Sequence, residues 1–228
     1  MLSDTSPAKM SVEQLIASVR SADSADALLS AVERLSQAKH PAATTCLLEI
    51  LGFNNPGAAV AAVDGLIAIG EPAVEPILAS LHTNNYGARA WSVRALAGIG
   101  DPRGLEVLER ALATDVGPSV RRAAASGLGR LDLRSLPEDQ VSELVERSLQ
   151  ALLAACGDGE WIVRYAVVVG LEGLARHQGQ RVSDLSLAAL KRALAGLAVG
   201  SDPLFHDVVQ RRSALALHRI DNSGGTHG

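Results

Sequence analysis

The five residues Asn54-Asn55-Pro56-Gly57-Ala58 return thirty positions later as Asn84-Asn85-Tyr86-Gly87-Ala88. The residues behind this motif return in step, with the pairs Val63 and Val93, Leu66 and Leu96, Ile69 and Ile99, and Gly70 and Gly100. A single helix pair cannot bury its apolar faces alone, and it does so by stacking on a copy of itself. The repeat therefore predicts a solenoid of helix pairs.

The same frame extends along the chain through a leucine at the middle of each predicted second helix. We call these the anchor leucines: Leu66, Leu96, Leu128, Leu171 and Leu217. Three residues after each comes a branched apolar residue: Ile69, Ile99, Leu131, Leu174 and Ile220. A spacing of three puts both side chains on one face of a helix, so the pattern indicates helices and not strands.

Glycine and proline mark the predicted repeat boundaries. Gly70-Glu71-Pro72 and Gly100-Asp101-Pro102 each place a helix-ending glycine before an acidic residue and a proline that begins the next helix. The predicted helix pairs are 11–38, 41–70, 72–100, 102–131, 137–177 and 183–221. The sequence thus predicts an all-α fold, a right-handed α-α superhelix of about six HEAT-like pairs. We expect one domain over residues 11–221, a flexible N-terminus at 1–10 and a disordered tail at 222–228.

Composition and charge argue against several other classes of function. The net charge is −4 and the 21 basic residues form no tract, so nucleic acid is not an expected partner. The apolar runs are far shorter than the roughly 20 residues of a membrane span, and no secretory pattern opens the chain. These features predict a cytoplasmic protein. Neither a disulfide, a metal site nor a bound cofactor is expected, because the two cysteines and six histidines lack the spacings that such sites need.

Arginine recurs seven residues before three consecutive anchor leucines, at Arg89, Arg121 and Arg164. One interpretation is a ladder that joins neighbouring repeats through acidic partners near the same helix starts: Asp115, Asp158 and Asp202. The other is that these guanidinium groups bind an anionic ligand.

All four Trp and Tyr residues of the chain lie beside two of these arginines: Tyr86, Trp91, Trp161 and Tyr165. Packing at helix starts would explain them. A flat conjugated ligand that carries carboxylates would use the same combination of rings and guanidinium groups.

Three segments resemble the E/F-type phycobilin lyases of cyanobacteria, and most closely their F subunits. They are the run from Asn84 to Pro102 that contains Tyr-Gly-Ala-Arg-Ala-Trp, the run Pro118-Ser-Val-Arg121-Arg122-Ala-Ala-Ala, and the run Glu160-Trp161-Ile-Val-Arg164-Tyr165-Ala. The resemblance spans roughly residues 12–220. It implies a lyase subunit that acts with an E-type partner. Together they attach a linear tetrapyrrole to a cysteine of a phycobiliprotein α subunit through a thioether, and in some relatives they detach it. Phycocyanobilin is the expected pigment.

The resemblance also implies roles for individual residues. Propionate contact is assigned to Arg89, Arg94, Arg121 and Arg164, the ring system to Tyr86, Trp91, Trp161 and Tyr165, and proton handling to His82 or Asp101. Asp101 has a competing role as a helix cap before Pro102, and His82 a competing role as a solvated residue. Isomerising relatives carry a His-Cys pair, whereas here His82 is followed by Thr83, so attachment without isomerisation is the preferred hypothesis.

An alternative function comes from another class of protein. A non-catalytic HEAT-like scaffold or chaperone could grip a phycobiliprotein or another helical partner on an apolar concave surface without contacting pigment.

Overall fold

The computed structural model describes residues 10–81, 85–178, 181–199 and 206–223, and these residues contain helices and no strand. The α-helices are α1 (Val12–Arg20), α2 (Ala25–Gln37), α3 (Thr44–Ile50), α4 (Pro56–Ile69), α5 (Val74–Ser80), α6 (Tyr86–Ile99), α7 (Leu105–Thr114), α8 (Pro118–Leu128), α9 (Glu138–Ala154), α10 (Trp161–His177), α11 (Asp184–Val199) and α12 (His206–Ser223). Short 3-10 helices lie at Pro41–Ala43, Glu71–Ala73, Pro102–Gly104 and Ala155–Gly157. The all-α class predicted from the repeat is confirmed.

The six helix pairs follow each other in the predicted order. Their bounds agree with the predicted ranges to within three residues. The end of α12 differs from the prediction, because Asn222 and Ser223 belong to the helix and not to the tail. Residues 1–9 and 224–228 lie outside the described part of the chain.

Two compact units divide the chain within α6, the first ending at Ala95 and the second beginning at Leu96. Leu66 is buried in the first unit and Leu96, Leu128 and Leu171 are buried in the second, where Leu217 is half-buried. The single domain expected over residues 11–221 stays a prediction.

Asparagine side chains explain why the opening motif recurs. Asn55 Oδ1 accepts the backbone N–H of Ala58 at 3.0 Å and so caps α4, while Asn55 Nδ2 donates to the carbonyl of Ala25 at 3.3 Å. Asn85 repeats both contacts, with the N–H of Ala88 at 3.0 Å and the carbonyl of Gly52 at 3.3 Å. Each asparagine therefore starts its own helix and ties it to the preceding repeat.

Replacing Asn55 with alanine should destabilise the protein by about 1–2 kcal/mol, because one side chain supplies both the cap and the link to Ala25. Urea unfolding measures the change. Asn54→Ala is the matched control, since the Asn54 side chain is exposed and makes neither contact. Equal losses for the two variants would contradict the prediction.

Glycines bring α8 and α10 into backbone contact in the second unit. A Cβ atom at Gly170 would lie 2.4 Å from the carbonyl oxygen of Ala125, and one at Gly129 would lie 2.2 Å from the carbonyl oxygen of Gly170. A Cβ at Gly173 would likewise lie 2.6 Å from the carbonyl oxygen of Gly129. Real Cβ atoms do not approach so closely, so the two helices can cross at this distance only because these positions lack side chains.

No single helix in the described ranges is long and apolar enough to cross a membrane. One pair, Pro56–Ile69 with Glu71–Ser80, meets the length and composition criteria only when taken together, and it is bent by 119°.

Candidate functional site

Arg121 forms the link between repeats that was one of the two interpretations of the arginine pattern. Its Nε and Nη2 donate to the two carboxylate oxygens of Asp158 at 2.8 and 3.0 Å, an arrangement that connects α8 to the start of α10. Its Nη1 donates to the backbone carbonyls of Asp115 and Val116 at 2.9 and 3.3 Å. The guanidinium group is thus engaged in holding the fold, and its predicted contact with a propionate stays a prediction.

Arg164 occupies the same place one repeat later. Its Nη1 donates to the carbonyls of Asp158 and Gly159 at 2.7 and 3.1 Å, which are the residues six and five positions earlier. Arg121 binds the residues at the same two offsets. Arg121 and Arg164, each seven residues before an anchor leucine, therefore both fasten the loop that leads into their own helix. Propionate binding by Arg164 also stays a prediction.

The Arg121–Asp158 pair should make folding sensitive to acid. The hydrogen bonds from Arg121 hold the pKa of Asp158 below its ordinary value of 3.8. Because the folded-state pKa is the lower one, the stabilisation is complete above about pH 5 and is lost as the pH falls through the folded-state pKa.

Asp158→Asn should cost about 3 kcal/mol at pH 7, because it leaves a largely buried guanidinium group without its counter-charge. The same variant should lose less further stability than the wild type between about pH 5 and pH 3. Urea unfolding at each pH provides both quantities. Parallel pH curves for the two proteins would contradict the assignment.

Asp101 caps the 3-10 helix Pro102–Gly104, which was the alternative to proton handling for this residue. Its Oδ1 accepts the backbone N–H of Arg103 at 3.0 Å, and both carboxylate oxygens bind the Arg103 guanidinium group at 2.8 Å. These bonds lower the pKa of Asp101, so its carboxyl group is ionised at neutral pH and is a poor proton donor. His82 and Asp202 lie outside the described residues, and proton handling by either His82 or Asp101 stays a prediction.

The first unit holds one half of the predicted ligand-binding set. The Arg89 guanidinium carbon lies 5.9 Å from the Tyr86 ring centroid, and that of Arg94 lies 5.5 Å from the Trp91 ring centroid. Trp91 lines a cavity of about 300 Å³, whose other walls are residues 51–56 together with Asn85 and Gly87. The bilin contacts predicted for these four residues stay predictions.

The second unit holds a larger groove, which we call the α8–α10 groove. Its volume is about 480 Å³, and its lining residues are Arg122, Ser126, Arg130, Trp161, Ile162, Tyr165, Ala166, Val169 and Val208. Two of the predicted aromatic residues, Trp161 and Tyr165, therefore meet in one groove. The volume lies within the range of roughly 300–1,000 Å³ that is typical of small-molecule sites.

Two arginines at the edge of the α8–α10 groove were not assigned to the site by the sequence. Arg122 is on α8 and Arg130 is in the turn that follows it, and both side chains are exposed. In the part of the chain that the structure describes, neither guanidinium group has an ion-pair partner. These groups are therefore available for a negatively charged ligand, whereas Arg121 next to them already pairs with Asp158.

The repeat frame contains the signal that could have found the groove. Arg122 and Tyr165 each stand six residues before their anchor leucine, and Ser126 and Val169 each stand two before it. We call the position of Arg121 and Arg164 the ladder position and that of Arg122 and Tyr165 the groove position. The ladder position is one residue earlier than the groove position. Because successive helical residues are about 100° apart, that single step separates the structural arginine from the residue that lines the groove.

The cysteines have the properties of inert thiols. Burial raises the pKa of the Cys46 thiol, and it raises the pKa of Cys156 to about 11. A thiol with such a pKa contains little thiolate at neutral pH and is a weak nucleophile.

Comparison with known proteins identifies the class first. The family model described as HEAT repeats matches residues 54–129 and 74–172. The chain is therefore a HEAT-repeat protein, as the repeat frame predicted.

Curated relatives and a solved structure define the family more narrowly. Phycocyanin alpha phycocyanobilin lyase CpcF of Synechocystis sp. (strain PCC 6803) is 49% identical over 76% of this chain and 82% of its own length. Bilin biosynthesis protein RpcF of Synechococcus sp. (strain WH8020) is 45% identical over 93% and 97%. A chain in the complex of CpcE and CpcF of phycocyanin lyase from Nostoc sp. PCC7120 matches with a TM-score of 0.68 at 40% identity, covering 77% of this chain and 98% of that one. This chain belongs to the family of F-type phycocyanobilin lyase subunits, and the resemblance found in the sequence is confirmed.

Proposed function

We propose that this chain is the F-type subunit of a heterodimeric phycobilin lyase, which attaches phycocyanobilin through a thioether to a cysteine of a phycobiliprotein α subunit. Membership in the family carries this proposal. The similar chain solved with CpcE supports an E-type partner subunit. We further propose that the α8–α10 groove contacts the pigment.

The chemistry of the groove suits an open-chain tetrapyrrole. Trp161 and Tyr165 offer ring faces to a conjugated plane, and Val169 and Val208 add apolar wall. Arg122 and Arg130 offer guanidinium groups to the two propionates, which are carboxylates. A ligand that is both flat and doubly negative satisfies all of these residues at once.

The bond-forming step adds the thiolate of the acceptor cysteine to the ethylidene group on ring A. A C–S bond forms, the electrons of the ethylidene double bond move into the conjugated system, and a proton is taken up by the tetrapyrrole. The nucleophile belongs to the acceptor, which agrees with the raised pKa values of Cys46 and Cys156. The contribution of this chain is to hold the pigment in an orientation that the thiolate can reach.

Reconstitution tests this function directly. The chain is combined with its E-type partner, phycocyanobilin and a phycobiliprotein α subunit, and covalent pigment on the acceptor is detected by fluorescence in a denaturing gel. We expect pigment transfer that requires this chain and that persists in a variant with both cysteines changed to serine. Equal labelling when the chain is omitted would overturn the proposal. Assembly with the acceptor without any effect on pigment would instead favour the non-catalytic scaffold.

A further inference from the structure

A buried carboxylate lies behind the wall of the α8–α10 groove. Glu172 is on α10, and its side chain is only 5% exposed. It accepts a hydrogen bond from Nη2 of Arg212 on α12, and its other oxygen lies 3.3 Å from Nη1 of Arg219 and 3.7 Å from Nη1 of Arg176. One carboxylate thus connects α10 to α12 through two arginines of α12.

The Glu172–Arg212 pair contacts the groove through Tyr165. The guanidinium carbon of Arg212 lies 5.9 Å from the centroid of the Tyr165 ring, within the distance of a cation–π interaction. Tyr165 lines the groove, and so does Val208, which precedes Arg212 by one turn of α12. Glu172 therefore fixes Arg212, which packs on the Tyr165 ring. Through Arg212 it also fixes α12, which supplies Val208 to the groove wall.

The Glu172 cluster is held by ion pairs and stays charged. Three guanidinium groups lie within 4 Å of the single carboxylate of Glu172, and that of Arg212 is the most buried of them. Nη1 of Arg212 is buried and has no hydrogen-bond partner in the described residues. Burial acts to raise the pKa of Glu172, but the bonds and charges of Arg212 and Arg219 outweigh it, and the pKa is lowered, so the carboxylate stays ionised.

We propose that Glu172 and Arg212 are positioning residues of the pigment site, which fix the Tyr165 ring and the α12 wall and thereby set the conformation in which the groove holds the bilin. The proposal rests on the proposed function, because it concerns the same groove. The two residues act through Tyr165 and Val208, not by contact with the reacting atoms.

The test uses the complex with the E-type partner and titrates phycocyanobilin into it. The variants are Glu172→Gln, which removes the charge and keeps the shape, and Arg212→Lys, which keeps the charge and removes the planar group. The control is Glu109→Gln, which breaks a similar ion pair to Arg147 that does not line the groove. Two quantities are recorded, the dissociation constant and the ratio of the visible to the near-ultraviolet absorbance band of the bound pigment, which depends on bilin conformation.

We expect both variants to bind pigment about tenfold more weakly and to change the band ratio, while Glu109→Gln matches the wild type in both. Circular dichroism well below the melting temperature selects folded samples, and if Glu172→Gln does not fold, Arg212→Lys decides the question.

A lower melting temperature with an unchanged dissociation constant and band ratio would assign the pair a purely structural role and overturn the inference. If the wild-type complex binds no pigment, the groove proposal itself fails. If the wild type binds and only the response to these two variants is missing, the inference alone fails.

Discussion

Alanine at both Arg122 and Arg130 is expected to weaken phycocyanobilin binding by about 30-fold. Each guanidinium group at this partly exposed edge should contribute about 1 kcal/mol to a propionate contact, and 1.4 kcal/mol corresponds to a factor of ten. Neither arginine has an ion-pair partner in the described ranges, so the fold should lose little stability. Absorbance titration of the assembled complex measures the dissociation constant, and urea unfolding measures the stability.

A matched control removes the same amount of charge elsewhere in the same unit. Arg110 and Arg134 have exposed side chains that pair with Glu106 and Asp132, and neither lines the groove. The double variant Arg110→Ala with Arg134→Ala should therefore bind pigment as the wild type does. If the two double variants weaken binding equally, the effect comes from net charge and the groove is not the pigment site.

Arg121→Ala should give the opposite result to Arg122→Ala, although the residues are neighbours. Arg121 binds Asp158 and two backbone carbonyls, so its loss should mainly lower stability. Arg122 should mainly lower pigment affinity. The pair of variants thus separates the ladder position from the groove position.

The fold could be predicted from the sequence because its signals are local. Gly70 and Gly100 end their helices with φ of 76° and 73°, a conformation that glycine adopts without strain, and the prolines that follow lie in the 3-10 helices that lead into the next α-helices. Asn55 and Asn85 cap their own helices through backbone N–H groups three residues ahead. Each repeat therefore carries its own boundaries, and agreement to within three residues follows.

The lining of the α8–α10 groove could be predicted only in part, because the direction of a side chain changes by about 100° with each residue along a helix. Trp161 and Tyr165 were assigned to ligand binding by their chemistry, and they do line one groove. Arg121 and Arg164 were placed in the same ligand set, yet both bind the loops before their own helices. An arginine pattern in the sequence does not reveal whether the guanidinium group already forms an ion pair with a carboxylate such as that of Asp158.

The buried Glu172 cluster was also missed, for a different reason. Glu172 directly follows an anchor leucine. From a single sequence, a buried glutamate at that position cannot be told from one that is exposed to solvent. Its partners Arg212 and Arg219 are 40 and 47 residues away. Only the packing of α12 on α10 brings them together, and nothing in local sequence periodicity encodes that contact.

Gly170→Ala is expected to destabilise the protein by about 2 kcal/mol and to reduce pigment binding with it. The added methyl group would lie 2.4 Å from the carbonyl oxygen of Ala125 and 2.8 Å from a methyl of Leu152. Overpacking of this kind costs about 1–3 kcal/mol, and backbone atoms cannot yield as a flexible side chain can. The helix-propensity gain of about 1 kcal/mol from glycine to alanine offsets only part of the loss.

Gly196→Ala on α11 is the matched control, because a Cβ at Gly196 has no neighbour within 4 Å. It should be neutral or stabilising by up to about 1 kcal/mol, since only the propensity term remains. The opposite signs of the two changes would show that the glycine at α8–α10 is required for close approach and not for flexibility. Since Tyr165 and Val169 stand on α10 opposite Arg122 on α8, any separation of these helices widens the groove. A Gly170→Ala protein with wild-type stability and wild-type pigment affinity would therefore contradict both the packing argument and the assignment of the groove.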